Sequence, residues 1–299
     1  MRPLAGREEL DLFNELPYVL NEEFGRDLDE GRRRPGWMWL ALRGGRIVAR
    51  AGWWARSADA KDPLVMDVFD VAEGEPVETG AELFRTASQG ISPVDFLTFV
   101  PPDWRDDPGH RRIVESRVRG LELTGARVFV ERLRLEWAAG TPIAPPSERL
   151  LFRPVDDPDE LIALMSRVLV GTLDAHSRRD LEKDDPVKVA RDQYHGDFLG
   201  DPKPRDWWRI ATLPGNEPVG FVIPARNAYN AIINYIGVVP EHRGHGYIDD
   251  ILAEGTRIAA ADNPPRIRAA TDVGNVPMAK AFARNGYRTE GAQIDLTWG

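Results

Sequence analysis

One stretch in the second half of the chain places an apolar strand, a glycine-rich turn and a helix directly one after another. The apolar run from Ala231 to Val239 indicates a strand, and Pro240 ends it because proline has no N–H to donate to a strand ladder. Gly244 and Gly246 follow, and apolar residues then recur at helical spacing from Ile248 to Ala261. Such a turn presents backbone N–H groups at the start of a helix, where the helix dipole favours an anion. The stretch therefore predicts a phosphate-binding turn.

The residues around the turn distinguish it from an ordinary tight loop into a surface helix. From Val238 to Gly246 the sequence reads Val-x-Pro-Glu-x-Arg-Gly-x-Gly, which resembles the acetyl-CoA-binding motif of the GNAT (GCN5-related) N-acetyltransferases. A second stretch, from Asn275 to Tyr287, resembles the Asn-x-x-Met/Ala-x-x-x-Tyr-x-x-x-Gly-Phe motif of that family. The chain departs from these motifs at Ile248, where Gly or Ala is usual, and at Phe282, where Tyr is usual.

The two halves of the chain show the same order of elements. Each half has helices, a hairpin, and then strand, helix, strand, helix and strand, with a Pro-rich linker at residues 138–147 between them. We therefore expect an α/β (α+β) protein of two tandem GNAT-like domains, residues 1–137 and 148–299. Each would have a mixed, mostly antiparallel sheet with helices on both faces. The first half has no obvious opening strand, so we expect a strand from elsewhere in the chain to complete its sheet.

The halves differ at the turn. In the first half the stretch from Asp70 to Glu78 carries acids, including Glu73 and Glu75, where a diphosphate needs donors and positive charge. We therefore expect the first domain to be degenerate and the second to bind acetyl-CoA.

The composition limits the possible functions. A length of 299 residues with 42% hydrophobic residues suits two domains with real cores. The chain has no cysteine, which excludes disulfides, thiolate metal ligands and an acyl-cysteine intermediate. A formal net charge of −9 argues against general nucleic-acid binding, and no apolar run is long enough to cross a bilayer. We expect no metal, no nucleic-acid or membrane partner, and a cytoplasmic location.

The resemblance implies an acetyl-CoA site and the direct transfer of its acetyl group to a small-molecule or peptide amine. On this sequence, the backbone of Ile236 and Val238 on the central strand would hold the pantetheine arm. The residues that would bind the diphosphate are Arg243, Gly244, His245 and Gly246. Asn275 would lie at the mouth of the cofactor channel.

The acid and the base of such a reaction are open at the sequence level. Phe282 stands where the family often has a proton-donating Tyr, and phenylalanine cannot donate a proton; the usual glutamate of the central strand is also missing. Tyr235 is the nearest tyrosine, and Asp272, Asp174 and His176 are candidate bases, although a helix cap or a solvated loop residue is the interpretation we favour for each of the three. A water chain to solvent is an alternative base. A second hypothesis is a non-catalytic acyl-CoA-binding or sensory protein on the same scaffold.

Overall fold

The computed structural model describes residues 1–198 and 205–299. The strands of the first half are β1 (Arg2–Pro3), β2 (Met38–Arg43), β3 (Arg46–Trp54), β4 (Val65–Val71), β5 (Phe96–Val100) and β6 (Arg127–Ala138). Its helices are α1 (Leu10–Phe13), α2 (Phe24–Asp29), α3 (Val77–Ala87) and α4 (Pro108–Glu122). The strands of the second half are β7 (Leu151–Pro154), β8 (Arg209–Thr212), β9 (Pro218–Arg226), β10 (Ala231–Val238), β11 (Arg266–Asp272) and β12 (Arg288–Thr297). Its helices are α5 (Pro158–Leu169), α6 (Ala175–Leu181), α7 (Pro186–Gln193), α8 (Tyr247–Ala260) and α9 (Val276–Arg284).

The chain folds into two compact units. Unit 1 comprises Met1–Glu131 and Gly291–Gly299, and unit 2 comprises Arg132–Glu290. The boundaries expected from the sequence place residues 132–137 in the first domain and residues 291–299 in the second. In the structure each of these two segments lies in the opposite unit.

The last strand of each half is thus exchanged. The part of β6 from Arg132 onward pairs antiparallel with β11 in unit 2, with Arg132 opposite Asp272. Residues 292–296 of β12 pair antiparallel with β5 in unit 1. The strand that unit 1 takes from elsewhere is therefore β12, and it joins beside β5, whereas the opening edge is formed by β1 beside β2. A periodic apolar pattern predicts a strand but does not specify which sheet edge accepts it, so the exchange follows from pairing and not from local sequence.

The two units share one sheet topology. The strand order is β1-β2-β3-β4-β5-β12 in unit 1 and β6-β11-β10-β9-β8-β7 in unit 2. In unit 1 the neighbours β4 and β5 run parallel, as β10 and β11 do in unit 2, and the other neighbours within each unit are antiparallel. The expectation of two tandem domains with mixed, mostly antiparallel sheets is confirmed.

Helices cover both faces of each sheet. In unit 2 one hydrophobic core joins the sheet to α8 and α9 through Ile251, Leu252 and Phe282. The other joins it to α5 and α7 through buried residues such as Leu161 and Val189. In unit 1, α3 and α4 pack on one face, and α1 and α2 pack on the other. Because both faces are buried, a ligand in unit 2 has access at the ends of the strands.

Candidate active site

The strands β10 and β11 pair at their amino ends and then diverge. They pair in parallel where Ala231 lies opposite Ile267 and Ile232 lies opposite Arg268, and in these described strands the pairing goes no further. On its other side β10 stays paired with β9 as far as Val238, and β11 stays paired with β6 as far as Asp272. The strands therefore open towards their carboxyl ends and leave an unpaired edge of β10. We call this opening, between residues 234–238 of β10 and residues 269–272 of β11, the wedge.

A β-bulge lies at the apex of the wedge. The register between β9 and β10 shifts between Ile233 and Tyr235, so Asn234 is the additional residue. A bulge bends its strand and increases the local twist. It therefore accounts for the divergence of β10 from β11.

The glycine turn joins the end of β10 to α8. Gly244 has a φ of 82° and Gly246 a φ of 77°, which is the left-handed region that favours glycine. A Cβ added at Gly244 would meet nothing within 4 Å, so the conformation and not the packing requires glycine there. Gly246 is the N-cap of the 14-residue helix α8, and no side chain among the described residues caps its N–H groups. The exposed turn thus has the geometry of an anion site.

The side chain of Arg243 holds this turn in place. Its guanidinium donates to the carbonyl oxygens of Val238 at 3.1 Å, Val168 at 2.8 Å and Val170 at 2.8 Å. Val168 and Val170 lie at the carboxyl end of α5, where a positive charge is favoured. The structure therefore ties the turn to β10 and to α5 through Arg243.

Two acids and two arginines beside the turn were missed by our reading of the sequence. Asp249 and Asp250 lie in the first turn of α8. Asp249 accepts a hydrogen bond from Arg284 at 2.9 Å, and Asp250 pairs with Arg149. Arg149 also donates to the carbonyl oxygen of His245 at 3.0 Å. These arginines offset the negative charge next to the turn, and the signal for them was the Asp-Asp pair that directly follows the motif.

Asn275 caps α9 at the end of the wedge. Its Oδ1 accepts the N–H of Met278 at 3.3 Å, and its own N–H donates to the carbonyl oxygen of Asp272 at 2.9 Å. The side chain is half-buried. The structure thus places Asn275 next to the last residue of β11, and its role at the mouth of a cofactor channel stays a prediction.

Asp272 is buried at the end of β11, with 3% of its surface exposed. Its Oδ2 accepts the N–H of Ala175 at 2.6 Å, and its Oδ1 lies 3.0 Å from Nε of Arg132, the residue opposite it on β6. This second contact is an ion pair without hydrogen-bond geometry. Burial raises the pKa of the Asp272 carboxyl, and the Ala175 N–H and the Arg132 charge oppose that rise. Asp272 therefore fastens the start of α6 to the sheet.

Asp174 and Tyr235 lie near one another beside the wedge. Asp174 is the N-cap of α6, where its Oδ1 accepts the N–H of Ser177 at 2.8 Å. Burial raises the pKa of Tyr235 and the charge of Asp174 raises it further, so this phenol keeps its proton at neutral pH. The Tyr235 ring packs edge-on against Phe221, with the ring centroids 5.1 Å apart.

The structure thus brings together the residues considered for acid and base chemistry. His176 follows Ala175 on α6, and its charge acts on the pKa of Asp272. Asp174, His176, Tyr235 and Asp272 therefore lie in one region, at the carboxyl ends of the parting strands. Sequence reasoning had found each of them separately, and only the fold shows that they are neighbours.

Phe282 is a core residue. It is 2% exposed and packs edge-on against Tyr287, with ring centroids 5.0 Å apart. The Tyr287 hydroxyl in turn lies 2.8 Å from Oγ1 of Thr256. Neither ring presents a proton donor to the wedge, since Phe282 has none and the Tyr287 hydroxyl is engaged in the core.

The corresponding opening in unit 1 is filled by the chain itself. The described strands β4 and β5 pair in parallel at a single position. The N–H of Phe99 on β5 donates to the Tyr18 hydroxyl at 3.0 Å. Arg117 of α4 bridges the two strands, since it donates to Oγ1 of Thr98 at 2.9 Å and to Oδ1 of Asp70 at 2.8 Å. Side chains therefore occupy the place where an extended ligand would pair with the strand edge.

Two acids of the first-half turn, Asp70 and Glu75, are paired. Asp70 is 5% exposed and forms ion pairs with Arg50 and Arg117. Glu75 pairs with Arg43. The expected electrostatic repulsion by these acids is therefore offset, and the filled opening is the stronger argument against a ligand in unit 1.

Comparisons with known proteins agree with this fold. Residues 156–287 match the acetyltransferase (GNAT) family. A GCN5-related N-acetyltransferase from Sphaerobacter thermophilus has a similar structure, with a TM-score of 0.59 and 13% identity over 99% of this chain and 93% of that one. A GCN5-related N-acetyltransferase from Kribbella flavida gives a TM-score of 0.53 at 12% identity, covering 94% of this chain and 96% of that one. No curated protein matches this sequence. The chain therefore carries a GNAT domain in unit 2.

The two-unit arrangement also occurs in a known structure. A tandem GNAT protein from the clavulanic acid biosynthesis pathway has a TM-score of 0.52 and 17% identity, covering 99% of this chain and 96% of that one. The chain thus shares the fold of a tandem GNAT protein, and the family match at residues 156–287 confirms the GNAT resemblance noted in the second half of the sequence.

No described helix combines the length and apolar character needed to span a membrane. No group of three or more His, Asp or Glu side chains among the described residues is placed to hold a metal ion.

Proposed function

We propose that this protein is an N-acetyltransferase that moves the acetyl group of acetyl-CoA directly to an amine of a small molecule or peptide. The observation that carries the proposal is the unpaired edge of β10, which runs directly into the anion-binding turn at Gly244 and Gly246.

The residues present fit acetyl-CoA. An extended chain with amide groups, such as the pantetheine arm, can pair with an open strand edge as an added strand, and the open edge includes Ile236 and Val238. The N–H groups of the turn from Gly244 to Gly246 suit the diphosphate, and Asn275 would border the arm from the side of β11. Because the chain carries a net charge of −9, this local site must supply the attraction for a diphosphate.

Unit 1 takes no acetyl-CoA in this proposal. In its opening the Tyr18 hydroxyl already accepts the Phe99 N–H of β5, and Arg117 donates to the Thr98 side chain on the same strand. One acetyl-CoA should therefore bind per chain.

The residues beside the wedge suit direct transfer. The attacking amine must lose a proton, and the half-buried Asp174 and His176 are the candidate bases, with water as the alternative. Both oxygens of Asp272 already have partners, which suits a residue that positions α6. Tyr235 keeps its proton at neutral pH, which makes it the candidate donor to the departing thiolate. We place the reaction in the cytoplasm.

A second candidate function is acyl-CoA binding without chemistry. Phe282, buried in the core, favours it because this side chain cannot protonate a leaving group. Activity and binding then separate the two functions.

The test measures CoA thiol release across a panel of amines, with acetyl-CoA affinity measured by calorimetry on the same preparation. Release with at least one amine supports the transferase. Acetyl-CoA binding without release from any amine would favour the binding protein, and no binding would refute both. The site variant is Gly246→Glu, which places a negative charge in the turn that would bind the diphosphate. Its matched control is Gly215→Glu, which places the same charge in the exposed turn between β8 and β9.

A further inference from the structure

The side-chain nitrogen of Asn234 makes no hydrogen bond that would help to hold the fold together. It is the additional residue of the bulge, two positions beyond Ile232, the last residue of β10 that pairs with β11. Its Nδ2 is buried and has no hydrogen-bond partner among the described residues. An unmet buried donor destabilises a folded chain, and an apolar side chain of similar size would remove the penalty. A donor in such a place is suited to a ligand that accepts from it.

The wedge fixes which part of the acetyl donor reaches Asn234. In the proposed function the diphosphate lies at Gly244 to Gly246 and the pantetheine arm runs back along β10 past Val238 and Ile236. At about 3.3 Å per residue, four strand residues separate Val238 from Asn234 by about 13 Å. The end of the arm, with the thioester, therefore comes to the apex of the wedge.

The charges near the apex favour a neutral donor there. Asp174 and Asp272 are the carboxylates of this region, and neither can stabilise a developing negative charge. Arg243 is engaged by three backbone carbonyl oxygens. An amide N–H has the right polarity and adds no charge that would have to be buried.

We infer that Nδ2 of Asn234 donates a hydrogen bond to the carbonyl oxygen of the acetyl thioester and strengthens that bond during transfer; the inference rests on the proposed function. In the step, the lone pair of the neutral amine nitrogen forms a bond to the carbonyl carbon, and the C=O π electrons move to the oxygen held by Asn234. The C=O then re-forms as the C–S bond breaks, and the electron pair of the C–S bond leaves with the sulfur as a thiolate. The amine's proton passes to a base or water, and the thiolate leaves as such or takes up a proton. The products are an amide and CoA.

The test compares two ligands that differ at the carbonyl. Acetyl-CoA has the oxygen, and S-ethyl-CoA has a methylene in place of the carbonyl. Both are titrated calorimetrically into the full-length chain without an acceptor. We expect the wild type to prefer acetyl-CoA by about fivefold, the value of one neutral hydrogen bond. In Asn234→Leu the preference should fall below about twofold, while S-ethyl-CoA binds as well as before. With an accepted amine, the variant should lose about a hundredfold in kcat and much less in KM.

Two further variants keep the outcome interpretable. Asn230→Leu, at the other end of β10 where Oδ1 accepts from Arg266 at 2.8 Å, should keep the preference. Asn234→Asp, which removes the donor at neutral pH and keeps the shape, should lose it, so the inference is testable even if the leucine variant does not fold. A wild type that binds both ligands equally, or an Asn234 variant that keeps the preference, would overturn the inference alone. A wild type that binds neither ligand would overturn the proposed function and this inference together.

Discussion

Replacing Asp272 with Asn separates a residue that positions α6 from a residue that takes a proton in catalysis. The carboxylate accepts the N–H of Ala175 at 2.6 Å and lies 3.0 Å from Arg132. Asparagine has nearly the same shape, and its Oδ1 can accept the same N–H. The substitution therefore removes the charge and the basicity but keeps the link between β11 and α6.

The expected effect on stability is small. The hydrogen bond to Ala175 loses its charge assistance, which is about 1 kcal/mol. The pair with Arg132 contributes about 1 kcal/mol or less, because Arg132 is partly exposed and also lies 3.6 Å from Asp174. These losses are opposed because asparagine carries no charge that must be buried. The raised pKa of Asp272 indicates that the cost of burying its charge exceeds the stabilisation of that charge by Ala175 and Arg132. We therefore expect Asp272→Asn to be no less stable than wild type at pH 7, with a change within about 1 kcal/mol.

The pH dependence gives an independent check of the same reasoning. The pKa of Asp272 is raised in the folded chain, so folding is favoured by its protonated form. That contribution is complete below about pH 4, the ordinary pKa of an unfolded aspartate, and is lost as the pH rises through the folded pKa. The variant is neutral throughout. Urea unfolding from pH 4 to pH 7 should therefore show its stability rising relative to wild type, and a relative fall would refute the account of burial.

The rate of acetyl transfer decides between the two roles. If Asp272 only positions α6, Asp272→Asn should lose less than about a hundredfold in kcat, the lower bound usual for a true general base. Stopped assays of thiol release with an accepted amine measure this, alongside calorimetric acetyl-CoA affinity. A much larger loss with unchanged affinity and unfolding midpoint would make Asp272 the base and end the positioning account.

Three further predictions follow from the site and from unit 1. Gly246→Glu should abolish acetyl-CoA binding, because the φ of 77° at Gly246 disfavours a side chain and the added charge would repel the diphosphate. Calorimetry should give one site per wild-type chain, one site in the control Gly215→Glu and none in Gly246→Glu. Undiminished affinity in a folded Gly246→Glu variant would mean that the phosphate site lies elsewhere. Acetyl transfer should rise with pH and level off near the pKa of the acceptor amine, since transfer depends on positioning and on the free amine; a plateau that does not move when the acceptor is exchanged for one of different pKa would contradict this. Tyr18→Phe should destabilise unit 1 by about 1–3 kcal/mol, because the N–H of Phe99 loses its acceptor; urea unfolding measures this, and an unchanged unfolding midpoint would argue against the filled opening.

Much of the GNAT domain was predictable from short stretches of sequence. Gly244 and Gly246 require φ values that other residues adopt rarely, so their spacing after an apolar strand specified the turn and the start of α8. Apolar alternation and helical spacing predicted the hairpins and the helices, and Asn275 followed by a proline at the second helical position marked the start of α9. These features depend on backbone dihedrals and periodicity within a few residues.

Other features depended on which distant segments meet. The exchange of β6 and β12 left no trace in the sequence, because a strand has the same pattern in either sheet. The partners of Asp272 come from β6 and from the start of α6, and Arg243 bonds to carbonyl oxygens at the end of α5. The filled opening of unit 1 depends on Tyr18 reaching Phe99. Local sequence determines the conformation of each element and the chemistry that it carries. Long-range packing determines which residue pairs with each charge and which strand edges stay open, and no local pattern encodes that packing.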